Sequence, residues 1–164
     1  MSQASTKANS NFHPMTESSV FDRRLEEERF AQYRRQWVEN PAAFHVADFP
    51  LDLDIESTGV CNLRCPFCAT TTANWGPKAP GYMPWEVYTR IIDEGAANGL
   101  MAIKLSFRGE PMLHQKLPEM VAYAKKKGVL DVYFNTNATM LDEERFNRFI
   151  DAVVTGAADI DETD

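Results

Sequence analysis

Cysteine is scarce in this chain of 164 residues: there are three, Cys61, Cys65 and Cys68, all within one short stretch. An odd number so crowded is not a disulfide framework. No apolar run approaches the roughly 20 residues that a membrane-crossing helix needs. The opening stretch, residues 1–14, is polar, with no apolar core and no small-residue cleavage site, so it does not read as a secretion signal. These absences lead to the expectation of a cytoplasmic protein with no membrane span. Basic charge is also short. The formal net charge is −7, which argues against nucleic acid or an anionic membrane as a broad partner. Much of that charge sits at one end: Asp151, Asp159, Asp161, Glu162 and Asp164 fall in the last fourteen residues with no base among them. With 44% hydrophobic residues there is material for a core, and the length suits one domain.

The pattern of apolar residues divides the chain. Residues 1–20, rich in Ser, Thr, Asn and Gln, read as a disordered tail, and residues 21–49 as a helical extension. From Asp22 to about Glu39 a helix is expected, with Leu25, Phe30, Tyr33 and Trp37 on one stripe and Asn40-Pro41 ending it. Its Glu26, Glu27 and Glu28 oppose an anionic surface, so it reads as packed on the outside of the domain. Residues 50–56 alternate apolar and acidic side chains, hence a strand. A long Thr-, Gly- and Pro-containing loop over 69–83 precedes a helix from Pro84 to about Ala97. Ala102–Phe107 reads as a second strand, Leu117–Lys127 as a second helix stopped by Gly128, and Asp131–Asn135 as a third strand. A third helix follows Leu141, with Thr139 and Asp142 spaced like a capping box. Strands separated by such helices pair in parallel, which makes the chain an α/β protein. A fourth strand is expected next. Ala152-Val153-Val154-Thr155 offers itself, and then an acidic tail, residues 156–164, breaks the pattern.

The strongest chemical signal is Cys61-Asn62-Leu63-Arg64-Cys65-Pro66-Phe67-Cys68. Thiolates are soft ligands for iron–sulfur clusters or zinc. A structural zinc site would want a fourth protein ligand nearby, and His45 and His114 are remote in sequence. Three ligands on a four-iron cluster leave one iron open to a small molecule.

At this point the sequence resembles a known family. Cys-x3-Cys-x2-Cys after a first strand, with an aromatic residue before the last cysteine, is similar to the radical S-adenosylmethionine (radical SAM) superfamily. Phe107-Arg108-Gly109-Glu110-Pro111 closes the second strand where that family commonly has Gly-Gly-Glu-Pro, with Arg108 in place of the first Gly. Asn135-Thr136-Asn137-Ala138-Thr139 closes the third, where Thr-Asn-Gly is common and Ala138 replaces the Gly. The resemblance spans roughly residues 50–150 and leans toward SPASM-type maturases. It implies a partial TIM-type (β/α) barrel, of which this chain holds three βα units in a core over residues 50–155.

The same resemblance implies that Cys61, Cys65 and Cys68 hold a [4Fe–4S] cluster. Its open iron would take S-adenosylmethionine, cleaved reductively to a 5′-deoxyadenosyl radical that abstracts hydrogen from a substrate. Gly109 and Glu110 would meet the cofactor's ammonium. Phe67 would lie against its adenine or pack a core, and Asn137 would line its pocket or cap a turn. An external electron donor such as flavodoxin or ferredoxin is implied, with a small-molecule or peptide substrate. No residue is assigned to catalysis itself. The other reading of the cysteines is a non-catalytic iron–sulfur or zinc-binding module.

Other residues carry two readings each. Arg108 binds a carboxylate or forms a salt bridge; His114 touches the site or satisfies its loop. Trp75, Tyr82 and Trp85 wall a substrate or pack the long loop. Lys125-Lys126-Lys127 reads as a solvated helix end. Members of the family close about six βα units, so three imply a truncated chain or a completing partner. The third strand would otherwise present an unpaired edge.

Overall fold

The computed structural model describes residues 28–69 and 81–155. The two tails at 1–20 and 156–164, with Leu25 and Trp75, lie outside the described residues. Helix α1 (Glu28–Ala42) is followed by β1 (Asp52–Asp54), α2 (Trp85–Ala97) and β2 (Ala102–Lys104). A 3-10 turn (Pro111–Leu113), α3 (Leu117–Lys126), β3 (Asp131–Tyr133) and α4 (Glu143–Thr155) complete the order. The expected β-α-β-α-β-α sequence is therefore present, with shorter strands. All three strands pair in parallel in the order β1-β2-β3. In register, Asp52, Ala102 and Asp131 form one row, Leu53, Ile103 and Val132 the next, and Asp54, Lys104 and Tyr133 the third.

Because side chains alternate along a strand, the middle row faces one way and its neighbours the other. Leu53, Ile103 and Val132 belong to the main core, with Tyr88 and Ile92 of α2 and Met120 of α3. The Tyr88 hydroxyl is buried there and donates to the Met120 carbonyl at 2.6 Å. The opposite face carries Asp52, Asp54, Lys104 and Tyr133, so the sheet has an oily face and a charged one. Helix α1 lies against the amino ends of the strands, where Phe30 and Tyr33 pack on Ala102 with Leu51, Met101 and Leu130. A cavity of about 800 Å³ lies between α1 and the charged face, lined by Trp37, Phe49, Asp52, Lys104 and Tyr133 among others.

Four expectations are corrected. Helix α1 does not end at Asn40-Pro41. It continues to Ala42 and closes in a Schellman pattern, with His45 N–H donating to Asn40 O at 2.8 Å and Phe44 N–H to Pro41 O at 3.2 Å. That closure places Phe44 at φ +53. The fourth strand is absent from its expected place, since residues 152–155 form the last turn of α4. Ala152 is fully buried and Phe149 packs on the main core, so the helical spacing of the apolar residues prevails over their β-branching. The expected capping box does not form either. The Asp142 carboxylate alone caps α4, accepting from Arg145 N–H at 2.8 Å, while the Thr139 hydroxyl is engaged elsewhere. The outer face of α4 leaves Phe146, Ile150 and Val153 exposed in one stripe. The lysine run is also more than a solvated end: Lys125 donates to Leu130 O at 2.8 Å and Lys127 pairs with Asp93 at 2.6 Å.

On the charged face the hydroxyls of Tyr33 and Tyr133 both donate to one oxygen of Asp52, at 3.3 and 3.0 Å. Burial pushes the Asp52 carboxyl up, and burial followed by the Asp52 charge pushes the Tyr33 phenol up to about 12. A phenol that holds its proton longer in the folded chain stabilises the fold fully below the ordinary value of 10. That contribution is lost as pH rises from 10 toward 12. Urea unfolding at pH 8, 10 and 11 should therefore show a decline that is flatter in Tyr33→Phe. Parallel slopes for the two proteins would refute this linkage.

Candidate functional site

In a parallel sheet all carboxyl ends lie at one edge, and that edge is where open α/β sheets and barrels build their sites. Here the ladder continues past the strands through Ile55 N–H to Lys104 O at 2.7 Å and Leu105 N–H to Tyr133 O at 2.9 Å. Two buried hydroxyls extend it. Ser57 donates to Leu105 O at 2.9 Å, and Ser106 accepts from Asn135 N–H at 3.0 Å. The segments that follow the three strands are thereby locked side by side.

Gly109 stands at the closest crossing. A Cβ there would lie 2.7 Å from Val60 O and closer still to Thr58 O, both backbone atoms. The next residue, Glu110, donates its N–H to Val60 O at 2.8 Å. Val60 immediately precedes Cys61, so the end of β2 grips the root of the cysteine loop. Glu110 is buried and its carboxylate has three protein donors. Oε1 accepts from Met112 N–H at 3.0 Å and the Thr136 hydroxyl at 2.5 Å, and Oε2 accepts from Asn137 N–H at 2.7 Å. It caps the 3-10 turn and ties down the turn after β3. Asn137 in turn donates through Nδ2 to Asn62 Oδ1 at 2.9 Å, inside the cysteine loop.

The three thiols lie on that loop, each half-buried and none in a disulfide. Cys68 N–H donates to Cys65 O at 3.0 Å, curling the second half of the loop, and Leu63 N–H approaches Cys61 Sγ at 3.5 Å. Among the described residues no group of three or more Cys, His, Asp or Glu side chains is arranged to hold a single metal ion. Phe67 is 88% exposed, so its core-packing reading fails. Gly109, Glu110 and Asn137 are thus brought together beside the cysteine loop, while Phe67 projects from it into solvent.

The weaker candidates divide clearly. Arg108 takes the salt-bridge role. Its guanidinium grips Glu56 through Nε at 2.8 Å and Nη2 at 2.6 Å, and these hydrogen bonds hold the Glu56 carboxyl below its usual range. His114 satisfies its loop, accepting from Lys116 N–H at Nδ1 and lying 3.1 Å from Met83 O at Nε2. Trp85 packs against Tyr88 and Tyr123. Asn62, Thr136 and Thr139 had no place among the sequence candidates. Asn62 lies inside the cysteine motif, and Thr136 and Thr139 lie in the same stretch as Asn137.

The family model of the radical SAM superfamily matches residues 55–158. The chain belongs to this superfamily. Over 105 residues it is 33% identical to the PqqA peptide cyclase of Granulibacter bethesdensis, covering 63% of this chain and 26% of that protein. Over 106 residues it is 32% identical to the GTP 3′,8-cyclase of Chlorobaculum tepidum, covering 64% and 29%. The radical SAM chain described here therefore spans less than a third of the length of either relative. The crystal structure of BtrN in complex with AdoMet and 2-DOIA superposes with a TM-score of 0.58 at 20% identity, covering 65% of this chain and 44% of that one. At such identity the likeness is one of fold, and it agrees with a partial TIM-type arrangement of parallel strands.

The donor set fits the cluster that this superfamily uses. Three soft thiols share one loop, outside any disulfide, and thiolates are the ligands that iron–sulfur clusters take. The close approach at Gly109 yields a direct test. Gly109→Ala should cost roughly 3 kcal/mol, because backbone on both sides must move. Urea unfolding checks it, and a loss under about 1 kcal/mol would show that the crossing is soft.

Proposed function

We propose that this chain carries the cluster- and cofactor-binding part of a radical SAM enzyme, with Cys61, Cys65 and Cys68 holding a [4Fe–4S] cluster. When bound, such a cluster delivers one electron to S-adenosylmethionine and generates a 5′-deoxyadenosyl radical that abstracts hydrogen from a substrate. The observation that carries this reading is the meeting of the cysteine loop with Gly109, Glu110 and Asn137 at the carboxyl edge of the sheet.

The protein's own contributions follow from the geometry. A carboxylate has about four acceptor positions, and Glu110 uses three. The remaining one, on Oε2, suits a single hydrogen of the cofactor's ammonium. Phe67 offers an exposed ring for adenine to stack on. The charged sheet face would present Asp52, Asp54 and Lys104 to whatever lies beyond the cofactor. The two named relatives act on a peptide and on a nucleotide, so a peptide or small molecule is the substrate class for this chain. An external donor such as flavodoxin or ferredoxin would supply the electron, in a reducing, cytoplasmic setting. Among the described residues no helix is long and apolar enough to cross a membrane.

Anaerobic reconstitution followed by EPR of the reduced protein tests the reading. A four-iron signal that changes on adding S-adenosylmethionine supports it. A cluster signal indifferent to the cofactor would support a non-catalytic iron–sulfur module instead, and zinc without iron would support a zinc module. Cys65→Ala should bring iron and sulfide to background; retained iron would remove these thiols from the metal site. Glu110→Gln should keep the cluster, lose roughly 2 kcal/mol of stability and weaken the response to the cofactor. An unchanged titration would leave Glu110 with a structural role alone.

A further inference from the structure

Asn62 follows the first cysteine directly, and its side chain closes a ring with the turn after β3. Its Nδ2 donates to Thr139 Oγ1 at 2.7 Å, the Thr139 hydroxyl donates to Asn137 Oδ1 at 2.8 Å, and Asn137 Nδ2 donates to Asn62 Oδ1 at 2.9 Å. Every donor runs the same way round, so each bond polarises the next. The amide orientation of Asn137 is fixed independently, because its Oδ1 also accepts from Thr139 N–H at 3.0 Å. Turning the Asn62 amide over would set NH2 against NH2, so that orientation is fixed too. The same turn is anchored from below through Asn137 N–H to buried Glu110.

Asn62 and Thr139 are exposed, and exposed hydrogen bonds of this kind add little to folding stability, since water replaces them on opening. What the ring does set is position. Between Ala138 N–H on Thr136 Oγ1 and Thr139 N–H on Asn137 Oδ1, the backbone turns through Ala138 at φ +59, a conformation a residue with a side chain seldom adopts. A turn determined from so many sides is a rigid abutment. The cysteine loop is fastened to it at the residue after Cys61.

We propose that Asn62 is a positioning residue: through Asn137 and Thr139 it fixes the pose of the three-cysteine loop against the β3–α4 turn. It thereby sets where a cluster on Cys61, Cys65 and Cys68 stands relative to Glu110. This rests on the cluster reading given above, and the two can fail separately.

The test uses the full chain with Asn62→Ala, Thr139→Val, and Thr139→Ser, which keeps the hydroxyl. After anaerobic reconstitution, Asn62→Ala and Thr139→Val should bind as much iron and sulfide as the parent and melt at nearly the same temperature. Their reduced clusters should give broadened EPR features and be stripped by an iron chelator roughly tenfold faster, whereas Thr139→Ser should match the parent. A purely structural role would shift melting without changing the spectrum. Parent-like EPR and stripping in Asn62→Ala would overturn the proposal. So would an Asn62→Ala protein that binds no iron, since positioning leaves the thiols competent. If the parent itself forms no cluster, the functional reading fails. The ring is then judged in the metal-free chain by amide exchange over residues 61–68, where faster exchange in Asn62→Ala supports it and equal exchange refutes it.

Discussion

Taking a carboxylate out of water is tolerated only where donors replace the lost hydration. At Glu110 those donors come from its own 3-10 turn and from the turn after β3, while its N–H reaches back to the root of the cysteine loop. One residue, through its carboxylate and its backbone N–H, thus ties together the segments after three strands. Gly109 has no room for a side chain because Glu110 draws the end of β2 against Thr58 and Val60. Asn137 is presented to Asn62 because its backbone is bound to the same carboxylate. Remove that carboxylate and the turn after β3 loses its direct hold on the end of β2.

Much of this architecture is legible in the sequence because it rests on local rules. Acidic–apolar alternation from Leu51 to Glu56 marks a strand with two unlike faces, and the structure places Leu53 in the core and Asp52 and Asp54 opposite. The cysteine spacing and the Gly109-Glu110 pair mark the site, since each reflects a steric or ligand demand met within a few residues. The errors occur where long-range packing decides. Nothing local in Ala152-Val153-Val154-Thr155 says that Ala152 is to be buried in the main core, so β-branching reads as a strand. Asn40-Pro41 reads as a helix stop because the Schellman closure depends on Phe44 adopting a left-handed backbone, which its residue type does not advertise.

Ala138 is the instructive intermediate. The sequence flags it as a departure from the glycine usual at that place, and the structure shows why glycine suits it, with φ at +59. What the sequence does not show is the compensation: the side chains of Thr136 and Asn137 clasp the backbone on either side. The same two residues serve Glu110 and Asn62. The turn tolerates an awkward residue because the hydrogen bonds that hold it also hold the site.

The exposed stripe of Phe146, Ile150 and Val153 on α4 bears on how molecules of this chain treat one another. Dispersal in solution depends on a net charge of −7 outweighing contact between such stripes. Salt shortens the reach of that repulsion to about 8 Å at physiological ionic strength, and acidification toward the isoelectric point removes it. The attraction between oily faces does not weaken in step. Together with exposed Phe44, Phe67 and Phe107, this helix face makes contact between copies of the chain sensitive to salt and to pH.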